Sequence, residues 1–178
     1  MEKKSIFIII VRAILAIFII VLLPFIYTYL TALNPIVYFN VIIWYFFAAL
    51  LILPSSFISD DEKYQIPLNF LISMVTIFLV YGMKSSIFMT TAMSAFLDNG
   101  SMWLPKVDFE DIFKTLISFE EYKSKLGFLT EFDTLNLSFK GSKGIDTGTW
   151  FTNFFRIIEC LGIFIIPIYV TLKNKKIQ

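Results

Sequence analysis

The feature that most constrains this chain is a series of long apolar runs that carry almost no charge. Residues 13–33 and 36–57 contain no charged side chain, and residues 67–97 contain only Lys84. A fourth run, 150–172, is similar in length but includes Arg156 and Glu159. About 20 apolar residues suffice for a helix to cross the hydrocarbon of a bilayer. The runs therefore predict an all-α integral membrane protein, a bundle of four transmembrane helices.

The composition agrees with a membrane protein and narrows its chemistry. Hydrophobic residues make up 57% of the chain and charged residues 16%, whereas soluble domains average about 45–50% and about 25%. The chain has no histidine, which removes the commonest general base and metal ligand. Its single cysteine excludes an intrachain disulfide, and a net charge of +1 gives no field that would attract nucleic acid. We expect no cofactor, no metal site and no nucleic-acid partner.

The first three helices are predicted at about 6–33, 36–57 and 67–87, the third with an extension to 97. Lys3 and Lys4 before the first run also resemble the start of a signal peptide. That run is longer than the usual apolar region of about 7–15 residues, which favours a retained helix. Pro24 is expected to kink the first helix and Pro67 to lie in the first turn of the third. Residues 85–97 fit either a continued transmembrane helix or an interfacial one.

Residues 98–149 form a polar segment with two short amphipathic helices. In the first, apolar residues recur at helical spacing from Phe109 to Ile117. Ser118 and Glu121 match a capping box for the second, which is expected to turn Phe119, Tyr122 and Leu126 inward. Alternating apolar residues at 135–139 predict a short strand.

This segment is too small for a core of its own, so its apolar faces need another surface. That surface is either the bilayer with the mouth of the bundle or a partner protein, and the sequence leaves both open. The predicted partner-docking face consists of Phe109, Ile112, Phe113, Leu116, Phe119 and Tyr122.

The distribution of lysines predicts the orientation. Lys3 and Lys4 flank the first run and Lys173, Lys175 and Lys176 follow the last, and such residues mark the cytoplasmic side. Both termini are therefore expected in the cytoplasm. The abundance of Ile, Phe, Lys, Asn and Tyr is typical of AT-rich genomes and points to a bacterial or plasmid-borne gene, so we expect the protein in a bacterial inner membrane. Residues 1–97 form helices one to three, 98–149 lie outside, and 150–178 form the fourth helix and a basic tail.

One polar group lies within the last predicted helix. Asn153, Arg156 and Glu159 are spaced by three, which places them on one side of that helix, with Glu159 near the midplane. We expect Arg156 and Glu159 to pair and to face the bundle interior, because unpaired charges there are costly. The pair either fixes helix packing and register, or serves as an ion or proton relay or as a recognition site for a charged group on a partner helix. Lys84 is expected to extend outward to water.

A second polar pattern lies in the third run. Ser86, Thr90 and Ser94 recur every four residues, so they share one helix face. Small polar residues in this arrangement favour close helix packing. A pore lining is the alternative interpretation.

No residue motif in the sequence indicates catalysis, so the chain is not expected to be an enzyme. We predict a non-catalytic inner-membrane protein that acts by contact with another membrane protein or a secreted protein. Its other expected partner is membrane lipid. The protein would be a small subunit of a membrane assembly or a protective protein of the immunity or exclusion type. The alternative is a small ion or solute channel or transporter subunit that uses Arg156 and Glu159.

Overall fold

The computed structural model describes residues 3–33, 37–97, 105–126 and 148–175. Every regular element in these ranges is an α-helix, which confirms the all-α class. The predicted strand at 135–139 lies outside the described residues. The helices are α1 (Lys3–Leu33), α2 (Val37–Leu50), α3 (Ile52–Ile58), α4 (Glu62–Leu97), α5 (Phe109–Ile117), α6 (119–126) and α7 (Gly148–Lys175).

Two of the described helices are long and apolar enough to cross a membrane. The stretches are Ile6–Ala32 of α1 and Lys63–Thr91 of α4. A shorter apolar stretch, Ile42–Ile58, covers parts of α2 and α3. In the most apolar window of α1 only 6% of the residues are buried inside the protein, against 44% in α4. Most of the surface of α1 is therefore both apolar and exposed.

The second predicted helix is divided in two. A turn at Leu51 separates α2 from α3, and Pro54 lies inside α3. Proline has no N–H to donate to the carbonyl four residues earlier, and its ring crowds that carbonyl. For Pro54 this carbonyl belongs to Leu50, which is the last residue of α2. The break follows from the proline.

The third predicted helix begins earlier than expected. Because α4 starts at Glu62, Pro67 lies inside the helix and not in its first turn. The Asp61 carboxylate accepts a hydrogen bond from the Lys63 N–H at 2.9 Å, which satisfies one of the free donors at the helix start. From there α4 is continuous to Leu97, so residues 85–97 extend the same helix.

The long helices pack side by side around an apolar core. α1 contacts α3 and α4, and α7 contacts α2 and α4. The central cluster consists of Tyr27, Phe47, Leu51, Val80 and Ile163. The rings of Tyr27 and Phe47 stack with their centroids 4.3 Å apart, which joins α1 to α2.

The short helix predicted over 109–117 is present as α5. The Asp108 carboxylate caps its start by accepting hydrogen bonds from the N–H groups of Glu110 and Asp111, at 3.0 and 3.2 Å. Ile112 is buried in a second apolar cluster with Met83 and Ile87 of α4. α5 is therefore fixed along α4.

The expectation for α6 is partly wrong. The Glu121 N–H donates to the Ser118 hydroxyl at 3.4 Å, as the first half of a capping box requires. Tyr122 and Leu126 are half-buried, but the side chain of Phe119 is 75% exposed. The buried face of α6 is centred nearer to Lys125, which reaches Asp111 and Thr115 of α5. Phe119 lies on the outward side of α6.

Candidate functional site

The carboxylate of Glu159 is the centre of a polar contact that joins three helices. The phenol of Tyr27, on α1, donates a hydrogen bond to one carboxylate oxygen. The phenol of Tyr81, on α4, donates to the other at 3.0 Å. The ammonium of Lys84 lies 3.9 Å from that second oxygen. Glu159 of α7 is thus held by groups from two other helices.

The charged partners at this site are largely removed from solvent. The side chain of Glu159 is 12% exposed and that of Lys84 is 17% exposed. Moving a charge out of water costs several kcal/mol, unless an opposite charge and further hydrogen bonds replace the lost hydration. Lys84 supplies the opposite charge, and the two phenols supply the hydrogen bonds. The sequence predicted that Lys84 extends outward to water. This prediction is wrong, because Lys84 turns toward Glu159.

The backbone at Glu159 is held by α2. The indole N–H of Trp44 donates a hydrogen bond to the carbonyl oxygen of Glu159 at 3.2 Å. The same indole packs on Gly162, where an added Cβ atom would overlap its ring. A glycine is therefore required at residue 162 for α2 to approach α7 this closely.

The groups around Glu159 can carry protons but are closely packed. The Cys160 thiol donates to the Tyr81 hydroxyl at 3.6 Å, which extends the hydrogen-bonded chain by one group. Val80 and Ile163, which are fully buried and apolar, belong to the same cluster as Tyr27. This arrangement suits a Glu159 carboxylate whose negative charge is balanced by Lys84 and whose position is fixed by the two phenols.

The other residues of the predicted site lie on the same helix. Arg156 is half-buried and precedes Glu159 by one turn of α7. Asn153 is also part of α7, and its side chain lies outside the described residues. Tyr27, Tyr81 and Trp44 are partners of Glu159 that the sequence did not predict. The available signal was a phenol or indole deep in an apolar run, because such a group needs a hydrogen-bond partner when buried.

A second set of polar contacts joins α4 to α7 farther from this site. The amide nitrogen of Asn69 donates to the Thr171 hydroxyl at 2.9 Å, and both residues are buried. The Ser73 hydroxyl donates to the carbonyl oxygen of Ile163 at 2.8 Å. Hydrogen bonds of this kind hold membrane helices together by about 0.6 kcal/mol each. The contact between α4 and α7 is thus specified along its length by polar groups.

The face of α4 that carries Ser86 and Thr90 receives α5. The hydroxyls of Ser86 and Thr115 are 2.7 Å apart, and the Thr90 hydroxyl lies 3.5 Å from the Asp111 carboxylate. The side chain of Ser94 lies outside the described residues. At Ser86 and Thr90 these small polar side chains allow close packing and hold α5 through hydroxyl contacts.

The ammonium of Lys125 completes this polar contact from α6. It donates to the Thr115 hydroxyl at 2.8 Å and forms an ion pair with the Asp111 carboxylate. The Lys125 side chain is almost completely buried, and that of Asp111 is half-buried. We call the unit of α5 and α6 joined by Asp111, Thr115 and Lys125 the helical hairpin.

The six residues of the predicted docking face are divided between the inside and the outside of this hairpin. Ile112 packs on α4, and Leu116 and Tyr122 lie over Gly82 of α4. The exposed residues are Phe109, Phe113 and Phe119. The outward surface of the hairpin is therefore aromatic, but smaller than the sequence indicated.

Tyr122 attaches α6 to α4. Its ring stacks on that of Phe78 with centroids 4.6 Å apart, and its hydroxyl donates to the Phe78 carbonyl oxygen at 3.1 Å. Burial raises the pKa of the Tyr122 phenol to about 12. The phenol is therefore neutral and able to donate this hydrogen bond at all ordinary pH values.

Comparison with protein-family models, with curated protein sequences and with solved structures finds no match to this chain.

Proposed function

We propose that the chain is a multi-pass membrane protein with four transmembrane helices, formed by α1, α2 with α3, α4, and α7. The support comes from α1, whose most apolar stretch lies almost entirely outside the protein core. A core helix of a soluble protein would be buried, whereas lipid chains can cover an apolar surface of this kind. The contacts of Tyr27 with Phe47 and Glu159 favour a retained α1 over a cleaved signal peptide.

The proposed orientation places both termini in the cytoplasm of a bacterial cell. Arg12 of α1 and Asp60, before α4, form an ion pair of 2.9 Å that is exposed, as expected at an aqueous boundary. Tyr27 is about 22 Å farther along α1, at about 1.5 Å per residue. In hydrocarbon about 30 Å thick, Glu159 then lies in the outer half of the membrane. The helical hairpin would be at the outer side.

We propose that this protein acts by contact with another protein and not by chemistry. The observation that carries the proposal is the state of Glu159, whose carboxylate is occupied by Tyr27, Tyr81 and Lys84. A carboxylate used in this way stabilises the packing of helices. The role would be that of a small subunit in a membrane assembly, or of an immunity or exclusion protein.

The surface proposed for the partner is the outward side of α6. Phe119 is 75% exposed, and the neighbouring Glu120 and Lys123 are also exposed. A single aromatic side chain surrounded by charged ones resembles the usual interface, in which an apolar anchor is enclosed by a polar rim. Phe119 would be the anchor.

Co-purification in mild detergent tests this assignment. Wild-type protein should recover a stoichiometric partner from its native membrane, and Phe119→Ala should lose it while remaining folded. Phe113→Ala is the matched control, because it removes an aromatic ring of similar exposure from α5. Equal recovery with both variants would refute Phe119 as the anchor, and a protein without any partner would refute the contact role.

Transport is the second candidate function, and one observation favours it. Hydrogen bonds join Cys160 to Tyr81 and Tyr81 to Glu159, and the Lys84 ammonium lies 3.9 Å from the same carboxylate, so groups that can exchange protons lie together inside the proposed membrane region. If the protein moves protons or ions, Glu159→Gln should abolish flux in proteoliposomes at unchanged expression. Flux that is absent from the wild type, or that survives this change, would eliminate transport through this site.

A further inference from the structure

The surface of α5 is divided lengthwise into three strips of different chemistry. Phe109, Phe113 and Ile117 are spaced by four residues and are 64–69% exposed. We call these three residues the apolar strip. Beside it lies an exposed ion pair in which the Lys114 ammonium is 2.7 Å from the Glu110 carboxylate. The third strip is buried against α4 and contains Ile112 and Thr115.

The distribution of polar and apolar groups on α5 differs from that of a helix surrounded by water. Polar groups of the hairpin, namely Asp111, Thr115 and Lys125, are turned toward α4, where they bind one another and Ser86. Ile112 and Leu116 also face α4, whereas the three large apolar side chains of the apolar strip are turned away from the protein. A helix on a soluble surface places its apolar side inward and its polar side outward. Three adjacent large apolar side chains that are all exposed indicate that the medium around the apolar strip is not water.

The position of α5 along the long helices points to the same medium. The ring of Phe109 stacks on Phe25 of α1 with centroids 5.7 Å apart. Leu116 lies over Gly82 of α4, and an added Cβ atom there would be only 2.6 Å from its Cδ2 atom. Phe25 and Gly82 both belong to stretches that are apolar and long enough to cross a membrane. The apolar strip is therefore continuous with the surface that lipid would cover.

We infer that α5 is an interfacial membrane helix whose apolar strip is immersed among lipid acyl chains at the outer boundary of the bilayer. Glu110 and Lys114 lie at the level of the lipid headgroups. Helices of this type bury one apolar side about 5–10 Å below that level. The inference rests on the proposed membrane-spanning architecture. It separates the lipid-facing side of α5, which includes Phe109 and Phe113, from the partner-facing side of α6.

Spin-label accessibility in lipid vesicles tests this placement. In a Cys160→Ser background, single cysteines replace Phe113 and Ile117, with Phe18 of α1 as a lipid-facing reference and Lys123 of α6 as a water-facing reference. Each purified full-length protein is labelled with a nitroxide and placed in vesicles of phosphatidylcholine and phosphatidylglycerol. Collision rates are then measured with oxygen, which concentrates in lipid, and with a neutral nickel chelate, which stays in water.

The expected result is that labels at residues 113 and 117 collide more with oxygen than with nickel, as the label at residue 18 does. The label at residue 123 should show the opposite preference. Nickel collisions at residues 113 and 117 equal to those at 123 would place the strip in water and overturn the inference. Low rates with both reagents would show a second protein surface over the strip and overturn it too. The proposed contact with a partner protein is tested separately by Phe119→Ala, so neither outcome of the spin-label measurement decides it.

Discussion

The phenol of Tyr27 donates a hydrogen bond to the carboxylate of Glu159, which joins the first long helix of the chain to the last. Tyr81 and Lys84 of α4 bind the same carboxylate, and the indole of Trp44 of α2 binds the backbone of the same residue. Four segments that are distant in the sequence therefore meet at Glu159. The stability of the whole arrangement should depend on these few polar groups.

Removing the hydroxyl group of Tyr27 should destabilise the protein. In Tyr27→Phe the carboxylate of Glu159 loses a buried hydrogen bond to a charged group, a loss of about 1.5–3 kcal/mol. Thermal unfolding in detergent should show a lower midpoint. Tyr169→Phe is the matched control, because Tyr169 is on α7 and exposed. Equal midpoints for the two variants would mean that the Tyr27 contact contributes nothing.

Lys84 and Glu159 should be energetically coupled. Lys84→Met alone removes the ammonium that lies 3.9 Å from a largely buried carboxylate, and breaking a buried pair in this way costs about 3–5 kcal/mol. Adding Glu159→Met removes the unpaired charge, so the double variant should be more stable than the sum of the single losses predicts. A double-mutant cycle of unfolding free energies measures this coupling. Strict additivity would show that the two charges do not interact.

Gly162 should tolerate substitution less well than Gly82. Gly162→Ala places a methyl group inside the indole of Trp44, which is held by its hydrogen bond to Glu159. We expect a loss of about 1–3 kcal/mol or more from overpacking. Gly82→Ala places its methyl group 2.6 Å from the end of the flexible Leu116 side chain and 3.0 Å from the edge of the Tyr122 ring, against 1.9 Å from the Trp44 ring at Gly162, so it should cost less. The two unfolding midpoints decide this, and the reverse order would contradict the packing of α2 on α7.

The attachment of α6 should fail at high pH. Since burial raises the pKa of Tyr122 to about 12, the stabilisation by its neutral phenol is complete below the unfolded value of about 10. It is lost as the pH rises through about 12. The ultraviolet difference spectrum between wild type and Tyr122→Phe should show this late titration, accompanied by faster proteolysis of the hairpin. A titration near pH 10 would contradict the buried position.

The sequence predicted the helices better than their contacts. Hydrophobic runs and caps are local properties, so the start of α5 at Phe109 and the Ser118 cap of α6 followed from a few neighbouring residues. The break at Leu51 and the early start of α4 were missed, although Pro54 and Asp61 were visible. Helix ends depend on the balance between a few hydrogen bonds and packing.

The polar site was only partly predictable, for a physical reason. Glu159 was identified because a charge inside an apolar run is costly anywhere in such a fold. Its partners Tyr27 and Lys84 depend on which helices become neighbours and at what height, which no local pattern reports. The outward position of Phe119 likewise depends on how α6 docks, and the ion pair between Lys125 and Asp111 exists only once α5 and α6 have docked.

The proposed membrane crossings are tested most directly by finding on which side of the membrane three introduced cysteines lie. Asp60→Cys, Lys123→Cys and Lys173→Cys are each placed in a Cys160→Ser background and treated in intact cells with a membrane-impermeant maleimide. We predict labelling of residue 123 from outside, and labelling of residues 60 and 173 only after the cells are opened. Labelling of residue 60 or 173 from outside would contradict the proposed crossings, as would complete release of the protein from membranes by alkaline extraction.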